Sequence, residues 1–226
     1  MKNYLIKQYD YTRSDITNVC DELSLWASPF GLLLLDNFPI KKYKRYLDIG
    51  FGTGFPLIEI AQRLGKECQS IGIDPWESAV NRAQSKIDTL QLDNIILING
   101  DASKIDFPEN HFDIITSNLG INNFKNPSKV LSECYRVINR KGTLCLTTNV
   151  SGTFDTFYKI FRESLLELKM EKYLEQLDAN IKHRGTETTT INLLEKTGFV
   201  IRKKIISELL LSDKTISQKK GAYPKR

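Results

Sequence analysis

A doubly wound α/β fold with a mostly parallel sheet is the class this sequence predicts, and three observations predict it. Six apolar runs of strand length alternate with longer segments of helical period. The runs are unbroken rather than alternately apolar and polar, as strands buried on both faces require. The segments between them are long enough for right-handed helical crossovers.

Residues 1–43 precede the first strand and carry Tyr4, Tyr9, Tyr11, Arg13, Trp26 and Phe30, with aromatics that either close a pocket or pack on the sheet. RYLDIG, 45–50, is the first strand. PLIEIAQRLGK carries Leu57, Ile58, Ile60, Ala61 and Leu64 on one helical face, with Pro56 suited to the first turn and Gly65 to the end. CQSIGID, the helix ESAVNRAQSKIDTLQL and NIILING supply the second strand, second crossover and third strand. FDIITSNL is the fourth strand, and PSKVLSECYRVINRKG the third crossover, ending on a basic turn and Gly142. GTLCLTTN is the fifth. From Phe154 to about Asn180, Phe157, Ile160, Phe161, Leu165 and Leu168 recur at helical spacing, predicting one helical insert that is either a core helix or a lid. GFVIRKKII is the sixth strand. Residues 207–226 form a basic tail in which only Leu209–Leu211 can add a short strand. The core spans 44–206, and 226 residues suit one domain.

Cys20, Cys68, Cys134 and Cys145 have no paired spacing for a metal or redox site and are too few for a disulfide framework, so no metal is expected and a cytoplasmic location is. The amino terminus lacks the apolar core of a signal peptide, and no run approaches the roughly 20 residues that span a bilayer. The net charge of +5 is concentrated: residues 212–226 carry +4, leaving +1 for the rest. KKYKR at 41–45 and RKK at 202–204 flank strands, where lysines commonly block edge pairing. Nucleic acid is therefore a weaker partner class than a small molecule.

Gly50, Gly52 and Gly54 occupy the first strand-to-helix turn, where open parallel sheets meet their ligands. Each lacks a β-carbon and allows positive φ. The alternative is a tight turn without a ligand. A dinucleotide loop places its third glycine one residue later, but position 55 is Phe, and Asp48 before the turn would repel a diphosphate. Both features suit a cationic ligand.

DIGFGTG, followed by IGIDP at 71–75 and NGDA at 99–102, resembles the class I S-adenosylmethionine-dependent methyltransferase family, from about residue 44 to about 206. Within it the chain is most similar to the small-molecule, quinone- and sterol-modifying type. The resemblance implies a Rossmann-like sheet, an amino-terminal helical cap over residues 1–43, a carboxyl-terminal hairpin that is incomplete here, S-adenosyl-L-methionine as cofactor and S-adenosyl-L-homocysteine as product. It places Asp74 on the ribose hydroxyls, Asp48 near the ammonium, often through water, and the Gly50 and Gly52 backbone beneath ribose and methionyl chain. It also places Asp101 on the adenine amino group and Ala102 near a ring nitrogen. Pro75 and Trp76 pack on adenine or ribose, with packing on the neighbouring helix an equal alternative for Trp76. Turn or helix-cap roles compete for Asp74 and Asp101 taken singly.

SNLGINNF lacks the Asn/Asp-Pro-Pro-aromatic signature of adenine and glutamine amino-methyltransferases, so Asn118 is assigned to the methionyl end of the cofactor, while Asn122, Asn123 and Phe124 face the acceptor or cap the next helix. Methyl transfer from a sulfonium is an in-line displacement for which positioning supplies much of the acceleration. If a base is used, His183 and Glu187 are the candidates, His183 also reading as a surface loop residue. An RNA or protein methyltransferase, suggested by the basic tail, and a non-catalytic cofactor-binding module are the competing functions.

Overall fold

The computed structural model describes residues 10, 12–24, 27–182 and 184–207. In chain order the elements are α1 Ser14–Glu22, α2 Ser28–Asn37, β1 Arg45–Ile49, α3 Leu57–Leu64, β2 Gln69–Asp74, α4 Glu77–Thr89, β3 Ile95–Asn99, β4 Phe112–Asn118, α5 Pro127–Val137, β5 Ile138–Thr147, α6 Asp155–Glu167, α7 Leu174–Lys182 and α8 Glu187–Thr197. The strands form one sheet in the order β3-β2-β1-β4-β5, every pair parallel. Their carboxyl ends therefore share one edge, and the order reverses between β1 and β4, where such sheets bind ligands.

Burial follows from the unbroken apolar runs. Along β1, Tyr46 faces a core with Leu34, Leu57, Ile60 and Ile87, while Leu47 and Ile49 face the opposite one with Ile71, Val130 and Val137. Each large apolar side chain so enclosed contributes roughly 1.5–3 kcal/mol. Close packing also explains Gly72 in β2, whose Cβ would lie 2.6 Å from Leu57 and Phe51 side-chain atoms. Asn126 caps α5 by accepting from the Lys129 amide at 3.1 Å, and Gly65 ends α3 at φ +77°.

Four local expectations change. Gly142 does not end a helix: α5 stops at Val137, and β5 starts at Ile138 with a bulge, Phe112 pairing with Ile138 but Ile114 with Thr143. A Cβ on Gly142 would sit 2.5 Å from Ile138 Cγ1, so the bulge, not a cap, requires glycine. Pro56 precedes α3 rather than opening its first turn, after a cis peptide bond from Phe55. The 154–180 insert is two helices, α6 and α7, separated by Lys169 at φ +54° and a short 3-10 turn at Glu171–Tyr173. GFVIRKKII forms no strand among the described residues: Phe199 packs edge-on against Tyr135, but Val200 is 82% exposed and Ile206 71%. Strand propensity yields a strand only where a partner pairs with it, and no strand among the described residues pairs with this segment. No helix among the described residues is long and apolar enough to cross a membrane.

Candidate functional site

The turn after β1 is held by its own amides. Gly50 N–H donates to the Ile73 carbonyl at 2.8 Å, Gly54 N–H to Phe51 at 3.0 Å, and Gly52 N–H to Asp74 Oδ2 at 2.8 Å. All three glycines have positive φ, at +73°, +57° and +107°. Their reasons differ. A Cβ on Gly54 would lie 2.7 Å from Ile58 Cδ1, so Gly54 serves packing, whereas no atom lies within 4 Å of a Cβ built on Gly52. Gly52 therefore presents bare backbone to open space, a cradle that a side chain would fill and a ligand can use.

Asp74, at the end of β2, is 6% exposed. Its Oδ1 accepts from the Trp76 amide and its Oδ2 from Gly52, both at 2.8 Å, while its carbonyl accepts from Asn99 Nδ2 at 3.1 Å and Gly100 N at 3.0 Å. Burial raises its pKa against those two amide bonds. Each oxygen keeps a further lone pair, so vicinal hydroxyls fit a carboxylate already oriented by the backbone. Pro75 is exposed beside it, and Trp76 is half-buried at the start of α4.

Asp48 lies fully buried beneath the turn. Thr116 donates to its Oδ1 at 2.6 Å and accepts in turn from the Tyr46 hydroxyl at 2.7 Å, while Oδ2 has no partner among the described residues. Burial, reinforced by the Asp74 charge and opposed by the Thr116 bond, pushes its pKa to about 7. An orphaned carboxylate oxygen at this place fits a ligand that brings a cation nearby.

Asp101 is exposed, its Oδ1 accepting from the Ser103 amide at 2.8 Å, a turn bond that holds its pKa low. Ala102 packs its methyl into the second core. Asn118, at the end of β4, accepts from Thr147 Oγ1 through Oδ1 at 2.6 Å, so β5 fixes which way its amide faces. The sheet thus brings Asp48, Asp74, Asp101 and Asn118 to one edge.

Of the candidate base and its partner, His183 lies outside the described residues, as do Tyr4, Tyr9, Tyr11, Trp26 and the 208–226 tail. Glu187 opens α8 with its carboxylate ion-paired to Lys204. Among the described residues there is no group of metal-ligating side chains.

Asn149, which sequence patterns do not mark, follows β5. It is 7% exposed, and its Oδ1 has no hydrogen-bond partner among the described residues. Asn122 holds the loop around it, its Nδ2 donating to the Asn149 carbonyl at 3.0 Å and its Oδ1 accepting from Thr148 Oγ1 at 2.7 Å. Asn149 lines a groove of about 2180 Å³ bounded by the described residues of α2, β5, α6, α8 and the 198–207 segment. That volume exceeds the roughly 300–1000 Å³ of a small-molecule site, and the groove meets the candidate cofactor edge at Thr147, which bonds Asn118.

Known proteins supply the family and the fold. A family model described as "Methyltransferase domain" matches residues 40–211. The demethylmenaquinone methyltransferase of Geobacillus kaustophilus is 34% identical over 127 residues, covering 54% of this chain and 54% of that protein; the one from Listeria welshimeri is 33% identical over the same extent. The chain thus spans about half the length of the curated relatives it matches. In fold it is similar to an S-adenosylmethionine-dependent methyltransferase from Aquifex aeolicus, with a TM-score of 0.62 and 22% identity over 84% of this chain and 89% of that one. It is also similar to a phosphoethanolamine N-methyltransferase from Haemonchus contortus in complex with S-adenosylhomocysteine, with a TM-score of 0.56 and 22% identity over 77% and 37%.

Proposed function

The chain belongs to the methyltransferase-domain family, with S-adenosylmethionine as its cofactor, and on that premise we propose that it methylates a small-molecule acceptor of the quinone type. The cofactor half of the reading is carried by one observation: a buried Asp74 whose two oxygens are already aligned by the Gly52 and Trp76 amides beside a glycine turn with open space over Gly52. Asp74 holds the ribose hydroxyls, Gly50 and Gly52 pass beneath the ribose and methionyl chain, and Asp48 offsets the ammonium charge from below. Asp101 and Ala102 take the adenine edge, Pro75 and Trp76 flank it, and Asn118 faces the methionyl end. When bound, the cofactor supplies a methyl group on a positively charged sulfur, and its loss leaves S-adenosylhomocysteine.

The acceptor class is supported by the relatives named as demethylmenaquinone methyltransferases. The end of β5 is a suitable place for it, because Asn149, whose side-chain oxygen has no partner among the described residues, lines the groove there together with Phe154 and Tyr158. Orientation near the methyl then does most of the catalytic work. Calorimetry with S-adenosylhomocysteine, followed by labelled methyl transfer to a panel of demethylated quinols, tests both halves. Binding with transfer to at least one quinol is expected. Absence of binding removes the whole reading, and binding with transfer only to RNA or protein removes the acceptor class.

A further inference from the structure

α1 stands on the outer side of the glycine turn, and one of its side chains ties it there. Asp21 is 11% exposed. Its Oδ1 accepts from Thr53 Oγ1 at 2.8 Å and from Lys86 Nζ, and its Oδ2 accepts from Arg82 Nε at 2.8 Å. Lys86 also donates to the Thr53 carbonyl at 2.9 Å. Thr53 lies between Gly52 and Gly54, so this residue of the turn is gripped by both its side chain and its backbone. One turn earlier in α1, Thr17 and Ser78 share a hydroxyl hydrogen bond at 2.6 Å, which keeps the helix against the first turn of α4.

We propose that Asp21 is a positioning residue for the cofactor: through Thr53 and Lys86 it makes α1 the outer half of a clamp on the glycine turn, of which Asp74 is the inner half. The inference rests on the cofactor site described above. Gly52 and Gly54 can reach their positive φ values easily, but nothing in glycine chemistry dictates them, and ordering such residues costs conformational entropy. A turn already ordered in the free protein has less freedom to lose on binding, which appears as affinity. Gly52 N–H to Asp74 orders one side, and the Asp21 contacts order the other. Burial opposes ionisation of Asp21, but the bonds from Lys86, Thr53 and Arg82 outweigh it and hold the carboxyl below its ordinary value, so the grip stays charged near neutrality.

The test uses the full chain and S-adenosylhomocysteine as probe, with calorimetry and stopped-flow dissociation on the parent, Asp21→Asn, Thr53→Val and the double variant. Asp21→Asn is expected to raise Kd about tenfold or more, mostly through faster dissociation, and Thr53→Val about three- to fivefold. The double variant should be no worse than Asp21→Asn, because both changes cut one network. At saturating cofactor, kcat should stay within about twofold, a KM-against-kcat split that general destabilisation would not produce. Arg13→Ala, which removes an exposed pair with Asp15 on the same helix, should leave Kd unchanged. Unchanged Kd in Asp21→Asn and Thr53→Val, or additive losses in the double variant, overturns the inference while parent binding stands. If Asp21→Asn does not fold, Thr53→Val decides, since it removes one hydroxyl and keeps the shape. A parent that fails to bind removes the cofactor site and the inference together.

Discussion

The two halves of the functional edge are built differently. Over β1 and β2, where we place the cofactor, most polar groups are held in advance: Asp74 by two amides, the glycine turn by the Ile73 and Phe51 carbonyls, and one Asp48 oxygen by a side-chain relay of Thr116 and Tyr46, its other oxygen having no partner among the described residues. Over β5, residues 143–147 are half-buried, and Asn149 has an oxygen that nothing among the described residues satisfies. A half that must receive one invariant nucleoside gains from groups fixed in advance. A half that meets the variable partner is shaped by loops and by whatever covers the sheet edge, which is how one fold serves many acceptors.

This contrast is most readily lost at Asp74. Asp74→Ala removes the carboxylate proposed to hold the ribose and the acceptor for two amides, so Kd for S-adenosylhomocysteine should rise about 100-fold, near 3 kcal/mol, by calorimetry. A rise below about threefold would place the nucleoside elsewhere. Asn149→Leu should separate the halves: kcat/KM for the acceptor falls about 10- to 100-fold while S-adenosylhomocysteine affinity stays within twofold. Melting temperature should hold or rise, because a buried unsatisfied oxygen disappears.

The pH response bears on the same contrast. Asp48 has a folded pKa of about 7, above its unfolded value, so the fold favours the protonated carboxyl. Its contribution to the stability of the free protein is complete below the ordinary carboxylate range and is lost as pH rises to about 7. A cation placed near Asp48 favours the ionised form. S-adenosylhomocysteine affinity should therefore increase about tenfold from pH 6 to 8, and Asp48→Asn should flatten that profile; a slope of the opposite sign would separate the ammonium from Asp48. The smallest effect is expected at exposed Asp101, where replacement by alanine should weaken S-adenosylhomocysteine about two- to fivefold by the same calorimetry.

Much of the cofactor half is legible in the amino-acid sequence. DIGFGTG, IGIDP and NGDA are short segments whose chemistry depends on neighbours in the chain, and a parallel sheet brings successive strand ends to one edge whatever the side chains. Gly54 shows the limit, for it stands in the motif yet serves the Ile58 contact. Gly142 and the GFVIRKKII segment show another: local composition predicts a helix stop and a strand, but a bulge against Ile138 and the lack of a described pairing partner set the outcome.

The order of residues along the chain is enough to dictate the alternation of strands and helices, the burial of β1 on both faces and the presence of acids around a glycine turn, because periodicity and backbone freedom are local properties. Folding in three dimensions adds that Asp48 lies sealed under the turn, that Asp21 reaches Thr53 from 32 residues away, and that Asn149 keeps an unsatisfied oxygen beside the groove. Burial and pairing are relations between distant segments, and they exist only once the chain has folded.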